Sequence, residues 1–130
     1  MSTTTQKTIR LGDLPAICKP LDGGHFGGLT TNSKGQHCAV VLLQEQGSNL
    51  THAKAKAWAK KLGGELPTRP VAAMLFARLK KLLRKEWHWT GDTQGASCAW
   101  NCHFGDGDQD GSHKSFECSA VAVRLIPLSA

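Results

Sequence analysis

The stretch THAKAKAWAKKLGGELPTRPVAAMLFARLKKLLRK, residues 51–85, decides the fold because it contains both helical patterns of the chain. The first pattern opens on Thr51 and is followed by the glycine pair at residues 63–64. Its apolar residues recur at the spacing of one helix face: Ala55, Trp58, Ala59 and Leu62. Threonine is a good N-cap and glycine ends helices, so we predict an amphipathic helix over residues 51–62.

The second pattern starts at Thr68 and carries Pro70 in its first turn. First-turn amides have no partner inside a helix, so proline is tolerated there. A wide apolar stripe follows: Val71, Ala72, Leu75, Phe76, Leu79, Leu82 and Leu83. The basic segment KKLLRK, residues 80–85, places cations where the helix dipole is negative. We therefore predict a second amphipathic helix that runs from Thr68 through the basic segment.

Strand patterns lie on both sides of the two helices. They occupy residues 8–11, 23–28, 37–43, 87–91, 98–104 and 118–128. The asparagine and glycine of TTNSKGQH, residues 30–37, predict a hairpin between the second and third of these strands. The order of elements predicts an α+β fold, a twisted antiparallel sheet with two amphipathic helices. Residues 7–130 are expected to form one domain and residues 1–6 a disordered tail.

Composition narrows the class of protein. A chain of 130 residues, 40% of them hydrophobic, suits one globular domain. No apolar run approaches the roughly 20 residues of a membrane-spanning helix, so no membrane partner is expected. The N-terminus MSTTTQKTIR lacks the layout of a secretory signal, which favours the cytoplasm. The five cysteines, an odd number, favour free thiols over a disulfide framework.

The formal net charge of +6 is distributed unevenly along the chain. Basic residues crowd the two helices: Lys54, Lys56, Lys60 and Lys61 on the first, and Lys80, Lys81, Arg84 and Lys85 on the second. This concentration favours an anionic partner, either nucleic acid or an acidic protein surface. The alternative is that the lysines only solvate the outer faces of the helices.

The acidic segment DGDQDGSHKSFE, residues 106–117, fits the EF-hand calcium-loop pattern at every fixed position. An EF-hand needs a helix on each side, but strand patterns flank this segment, and Lys114 places a cation at a ligand position. Aspartate and glycine also suit turns, so we interpret the segment as a long β-hairpin connection. A calcium site of another kind is the alternative.

Cysteine and histidine spacing raises the question of zinc. Cys98, Cys102, His113 and Cys118 fall within the spacing windows of structural zinc sites. The alternative is that these cysteines are buried as small apolar residues and need no metal. Motifs for nucleophilic catalysis, phosphate loops and dinucleotide binding do not occur in the sequence. We therefore predict a protein without enzymatic activity and without a cofactor.

Three segments, in this order, carry a family resemblance: GGELPTRPVAAMLFARLKKLLRKEWHWTG, AWNCHFGDG and HKSFECSAVAVRLIPL. They resemble the Lcl C-terminal-type domain of phage and prophage proteins, which is similar in fold to C-type lectins and formylglycine-generating enzymes. The shared motifs include LPTR at a helix start, residues 66–69, and a W-x-W strand within residues 87–90. The resemblance implies a C-type-lectin-like fold whose loops form a recognition surface.

The resemblance and the charge pattern together give the functional expectation. The leading hypothesis is a non-enzymatic phage protein that binds and inhibits a host protein in the host cytoplasm, such as a CRISPR defence complex. The alternatives are a virion adhesin and a nucleic-acid-binding protein that uses the basic helices. Contact is expected on a loop ridge, residues 92–97 and 106–114, or on the basic segment. The candidate binding residues are Lys80, Lys81, Arg84, Lys85, Trp89, Asp92, Asp106, Asp108, Asp110 and Lys114.

Overall fold

Eight strands form one sheet within residues 7–130, which are the residues that the computed structural model describes. The strands are β1 (Ile9–Arg10), β2 (Pro20–Leu21), β3 (Gly24–Thr31), β4 (His37–Leu50), β5 (Trp87–Gln94), β6 (Cys98–His103), β7 (Gln109–His113) and β8 (Cys118–Ser129). Two helices, α1 (His52–Lys61) and α2 (Arg69–Leu79), connect β4 to β5. The predicted α+β class is confirmed, and the predicted disordered tail lies outside the described residues.

The strand order across the sheet is β2-β3-β4-β8-β5-β6-β7, and β1 pairs with β8. β8 runs antiparallel to β4 but parallel to β5 and β1. The predicted antiparallel sheet is therefore a mixed one, because a strand that enters between two oppositely directed strands must be parallel to one of them. The hairpin predicted around residues 30–37 is confirmed as the pairing of β3 with β4.

The two helices cover opposite faces of the sheet, as the alternation along β4 demonstrates. Val40 and Leu42 pack with residues of α2, whereas Val41 and Leu43 pack with residues of α1. Successive strand residues point to opposite faces, so a strand that is covered on both sides is apolar throughout. Double coverage therefore explains the uninterrupted apolar run at residues 38–43, all of which are buried; the run at residues 40–43 by itself predicts a buried strand.

Both helices begin where the sequence predicts. The Thr51 hydroxyl accepts a hydrogen bond from the Lys54 amide, and the Thr68 hydroxyl accepts one from the Val71 amide. These caps satisfy first-turn amides that have no partner inside the helix.

No helix in the described part of the chain is long and apolar enough to cross a membrane.

α2 ends at Leu79, so the prediction that it continues through the basic segment is wrong. Lys80–Leu82 form a single 3-10 turn, after which the chain becomes extended. Arg84 gives the physical reason, because its guanidinium donates a hydrogen bond to the Gly47 carbonyl of β4. This tertiary contact fastens the segment to the sheet and overrides its local helical preference.

The acidic segment, residues 106–117, contains strand β7 and lies between strands β6 and β8. It pairs with β6 and forms one edge of the sheet. Strands on both sides cannot close carboxylates around an ion as the helices of an EF-hand do. The prediction that strands flank the segment is confirmed. Its interpretation as a long β-hairpin connection is wrong, because residues 109–113 form β7 and the connections are only residues 104–108 and 114–117.

Candidate functional site

Trp89, one of the predicted contact residues, belongs to the core beneath α1. It is fully buried, and its Nε1–H donates a 2.8 Å hydrogen bond to the Leu50 carbonyl. Its ring meets that of His52 edge-on, with 5.1 Å between the ring centroids. A buried indole with a satisfied N–H stabilises the fold and offers no surface to a partner. The assignment of Trp89 to the binding surface is therefore corrected.

Asp92 also has a structural task. Its carboxylate accepts a 2.8 Å hydrogen bond from the Arg69 amide in the first turn of α2. The Arg69 guanidinium lies 3.6 Å from the centroid of the Trp100 ring, and its Nε donates to the Gln109 side chain. These contacts fasten the start of α2 to β5, β6 and β7, so Asp92 and Trp100 are already engaged within the fold.

The basic segment is exposed in part. Lys80, Lys81 and Lys85 are exposed, whereas the Arg84 guanidinium is committed to β4. Lys85 lies against the turn that joins β6 to β7, residues 104–108. The segment therefore adjoins an acidic turn rather than extending into a larger basic surface.

The acidic side of the ridge is likewise exposed. Asp106, Asp108 and Asp110 all face solvent, and the Asp106 carboxylate accepts a 3.0 Å hydrogen bond from the Asp108 amide. Lys114 joins the two parts of the ridge, because its ammonium group donates to the Ala96 carbonyl at 3.0 Å. Aspartates of this kind stabilise turns, and of the three only Asp110 lies at a recess that also carries exposed aromatic side chains.

The four residues with zinc-type spacing do not converge. Cys98 pairs with His113 across β6 and β7. Cys102 packs on the α2 side of the sheet and Cys118 on the α1 side. Burial raises the pKa of the Cys102 thiol to about 11, whereas zinc binds thiolates. Among residues 7–130, no three His, Cys, Asp or Glu side chains are grouped in a way that suits a metal ion.

A recess of about 430 Å3 lies on the α1 face of the sheet. Two aromatic side chains form its walls: Trp87 of β5 and Phe116 of the β7–β8 connection, which are 37% and 61% exposed. Two exposed carboxylates, Asp110 and Glu117, also line it. β6 pairs with both β5 and β7, so residues distant in sequence share this face. With Asn101, Ser112 and Cys118, these four residues make up the aromatic–acidic recess.

The base of the aromatic–acidic recess is neutral and polar. Asn101 is only 3% exposed, and its Nδ2 donates to the Ser112 hydroxyl at 2.8 Å and to the Cys118 sulfur at 3.8 Å. Its Oδ1 is buried and accepts a hydrogen bond from no described residue. Burial raises the pKa of the Cys118 thiol, which keeps that group uncharged. One acceptor at the base is therefore left without a donor.

The local charge of the aromatic–acidic recess opposes that of the whole protein. Neither Asp110 nor Glu117 forms an ion pair within the described residues. Among the described residues that line the recess, none is Lys, Arg or His. On a chain of net charge +6, two unpaired carboxylates beside exposed aromatic rings form a distinct, locally negative site.

A separate basic surface lies on α1. Lys54, Lys56, Lys60 and Lys61 are exposed, and none forms an ion pair within residues 7–130. Because α1 and α2 cover opposite faces of the sheet, these lysines are separated from the basic segment after α2. The concentration of charge seen along the sequence is therefore divided between two surfaces.

Among the residues that line the aromatic–acidic recess, Asp110 is a contact residue predicted from the sequence, Ser112 lies within the predicted ridge, and Cys118 belongs to the set with zinc-type spacing. Two signals point to the rest. Phe116 is a large apolar residue inside a polar segment, SHKSFE, which is unusual for a residue that is to be buried. Trp87 alternates with Trp89 on one strand, so one member of the pair can extend beyond the helix that covers the other.

Comparison with known proteins assigns no family: no protein-family model matches the sequence, and no curated protein matches it significantly.

Proposed function

We propose that this chain is a non-catalytic module that binds another protein, with the aromatic–acidic recess at the centre of the contact surface. One observation carries the proposal. Four large apolar side chains are exposed among residues 7–130, and two of them, Trp87 and Phe116, line this one recess. Protein contact surfaces concentrate their binding energy in aromatic residues near the centre of a contact. Isolated exposed apolar residues need no such explanation, but a pair around a recess does.

The family resemblance supports the setting of the proposal. A C-type-lectin-like scaffold from a phage would present its loops to a protein of the infected cell, and Phe116 lies in the connection between β7 and β8. We therefore place the partner in the host cytoplasm and propose that binding inhibits a host factor, such as a defence complex. The absence of catalysis is part of the same proposal, which the raised pKa values of the buried Cys102 and Cys118 thiols support, since the thiolate is the reactive form.

Phe116→Ala tests the proposal. The partner is first captured from host lysate with the immobilised full chain and identified by mass spectrometry, and its affinity is then measured by biolayer interferometry. A central aromatic contact is worth about 2 kcal/mol, so Phe116→Ala is expected to weaken binding about 30-fold. Leu29→Ala is the matched control, because Leu29 is also apolar and exposed but lies on β3. Equal affinity of Phe116→Ala and the unchanged chain would contradict the proposal.

A second candidate function is nucleic-acid binding through α1. It is favoured by the four exposed lysines of α1, which have no acidic partner within the described residues. Binding through phosphate contacts falls steeply with added salt and disregards sequence. Fluorescence anisotropy with a labelled DNA duplex at two salt concentrations tests this. The proposal is supported if the affinity falls steeply with added salt and the double variant Lys56→Glu, Lys60→Glu no longer binds. Absence of binding at low salt would eliminate it.

A further inference from the structure

We infer that the aromatic–acidic recess takes an arginine side chain, presented by the partner protein. The inference rests on the proposed function and names the chemistry that the partner must offer. Three features of the recess carry it: the aromatic walls, the unpaired carboxylates and the free acceptor at the base. Each feature matches one property of a guanidinium group.

The aromatic walls match the flat, weakly hydrated face of a guanidinium. Trp87 and Phe116 line the same recess and remain exposed, so their ring surfaces are available to a ligand. Arginine stacks on aromatic rings and is attracted to their electron-rich faces. The chain already uses this contact internally, where the Arg69 guanidinium lies 3.6 Å from the centroid of the Trp100 ring. That internal pair is on the other face of the sheet and shows the geometry this sequence supports.

The carboxylates match the charge of a guanidinium. Asp110 and Glu117 stand at the recess without an ion-pair partner among the described residues. Arginine pairs with carboxylates through two parallel hydrogen bonds, which gives orientation as well as energy. Because no basic side chain is among the described lining residues, an entering cation would meet only neutral and acidic walls.

The base of the recess matches the remaining donors of a guanidinium. Asn101 Oδ1 is buried and accepts no hydrogen bond from any described residue, while its Nδ2 is already used. An unpaired buried acceptor is unfavourable, so a ligand that opens the base of the recess and donates to this oxygen is favoured. Arginine has five N–H donors and no acceptor, enough for a carboxylate and for this carbonyl together.

Arginine fits this set better than lysine. The lysine ammonium is a strongly hydrated point charge, whereas the guanidinium is planar and can stack while it donates sideways. The volume of about 430 Å3 lies within the range of ordinary side-chain and small-ligand pockets. A recess lined by two exposed aromatic rings and two carboxylates therefore favours arginine.

Nuclear magnetic resonance titration of the full chain tests the inference without the partner. The probes are three capped peptides, acetyl-Gly-Ser-X-Ser-Gly-amide, in which X is arginine, its neutral isostere citrulline, or lysine. The arginine peptide is expected to shift the Trp87 indole N–H and the Asn101 side-chain amide signals. The citrulline peptide is expected to bind at least 10-fold more weakly, and the lysine peptide several-fold more weakly. Glu117→Gln should weaken binding of the arginine peptide. Glu45→Gln is the control and should leave this binding unchanged, because Glu45 is an exposed acid on β4.

Each outcome bears on a different statement. No shift with the arginine peptide, or equal binding of the citrulline peptide, would overturn recognition of a cation in the recess. Equal or tighter binding of the lysine peptide would overturn the choice of arginine. If the arginine peptide causes no shift but Phe116→Ala still weakens binding of the captured partner, only the arginine inference is contradicted. If Phe116→Ala binds the partner with unchanged affinity, the proposed function of the recess is contradicted, whether or not the arginine peptide binds.

Discussion

Replacing Trp89 with alanine is expected to lower the free energy of unfolding by about 3–5 kcal/mol. The side chain is fully buried against α1, and its removal would leave a cavity beneath that helix. It would also leave the Leu50 carbonyl without the indole N–H that now donates to it at 2.8 Å. A buried acceptor without a donor adds to the loss of packing. Chemical denaturation followed by circular dichroism measures the effect.

Trp87→Ala is the matched control for this prediction. Trp87 has the same chemistry and lies two residues away on the same strand, but it is 37% exposed beside the recess. Its replacement is expected to cost less than half as much stability, because less surface is withdrawn from water. Equal losses in the two variants would show that α1 does not cover Trp89 in the manner described.

The second large effect is a loss of stability in mild acid that originates at His88. The ring is fully buried against Phe104, its Nδ1 bonds to the Glu86 carbonyl, and its Nε2 has no partner among the described residues. Burial disfavours the charged ring and lowers the pKa of His88 from its usual 6.5 to about 4. A proton is therefore accepted much more readily in the unfolded state.

The sign and the pH range follow from that difference. Above about pH 6.5 the ring is neutral in both states and its burial carries no titration penalty. As the pH falls from about 6.5 to 4, the unfolded state takes up the proton first, and the free energy of unfolding drops by about 3 kcal/mol. Burial also lowers the pKa of His52, so this residue contributes to the loss of stability in the same direction. Denaturation midpoints measured across this range report the loss.

His88→Leu should flatten the dependence of stability on pH between 6.5 and 4, whatever it does to stability at neutral pH. His37→Leu is the control, because His37 is exposed at the start of β4 and its replacement should leave the slope unchanged. An identical slope in His88→Leu and the unchanged chain would show that His88 does not remain neutral in the fold.

Local signals predicted the parts of this fold that depend on neighbouring residues. Thr51 and Thr68 start the helices because a cap needs only the amides of its own first turn. The end of α2 was not predictable in this way, since it depends on Arg84 reaching Gly47, 37 residues earlier in the chain. The parallel pairing of β8 with β5 was likewise not predictable, because hydrophobic periodicity indicates where strands lie in the sequence but not their order in the sheet.

The candidate site was only partly predictable for the same reason. Alternation on β5 places Trp87 and Trp89 on one face, but which of them is covered depends on where α1 lies. Phe116 has no periodic neighbours, and its position beside Trp87 follows from the pairing of three strands. The exposed aspartates were visible in the sequence, whereas the unpaired Asn101 carbonyl appears only once its surroundings are known.

Hydrogen–deuterium exchange of the full chain, alone and with the captured partner, most directly tests whether the aromatic–acidic recess is the contact surface. Slower exchange is predicted for the amides of residues 110–118 and for those around Trp87 when the partner is bound. Slower exchange confined to α1 or to the basic segment, with residues 110–118 unchanged, would contradict the account.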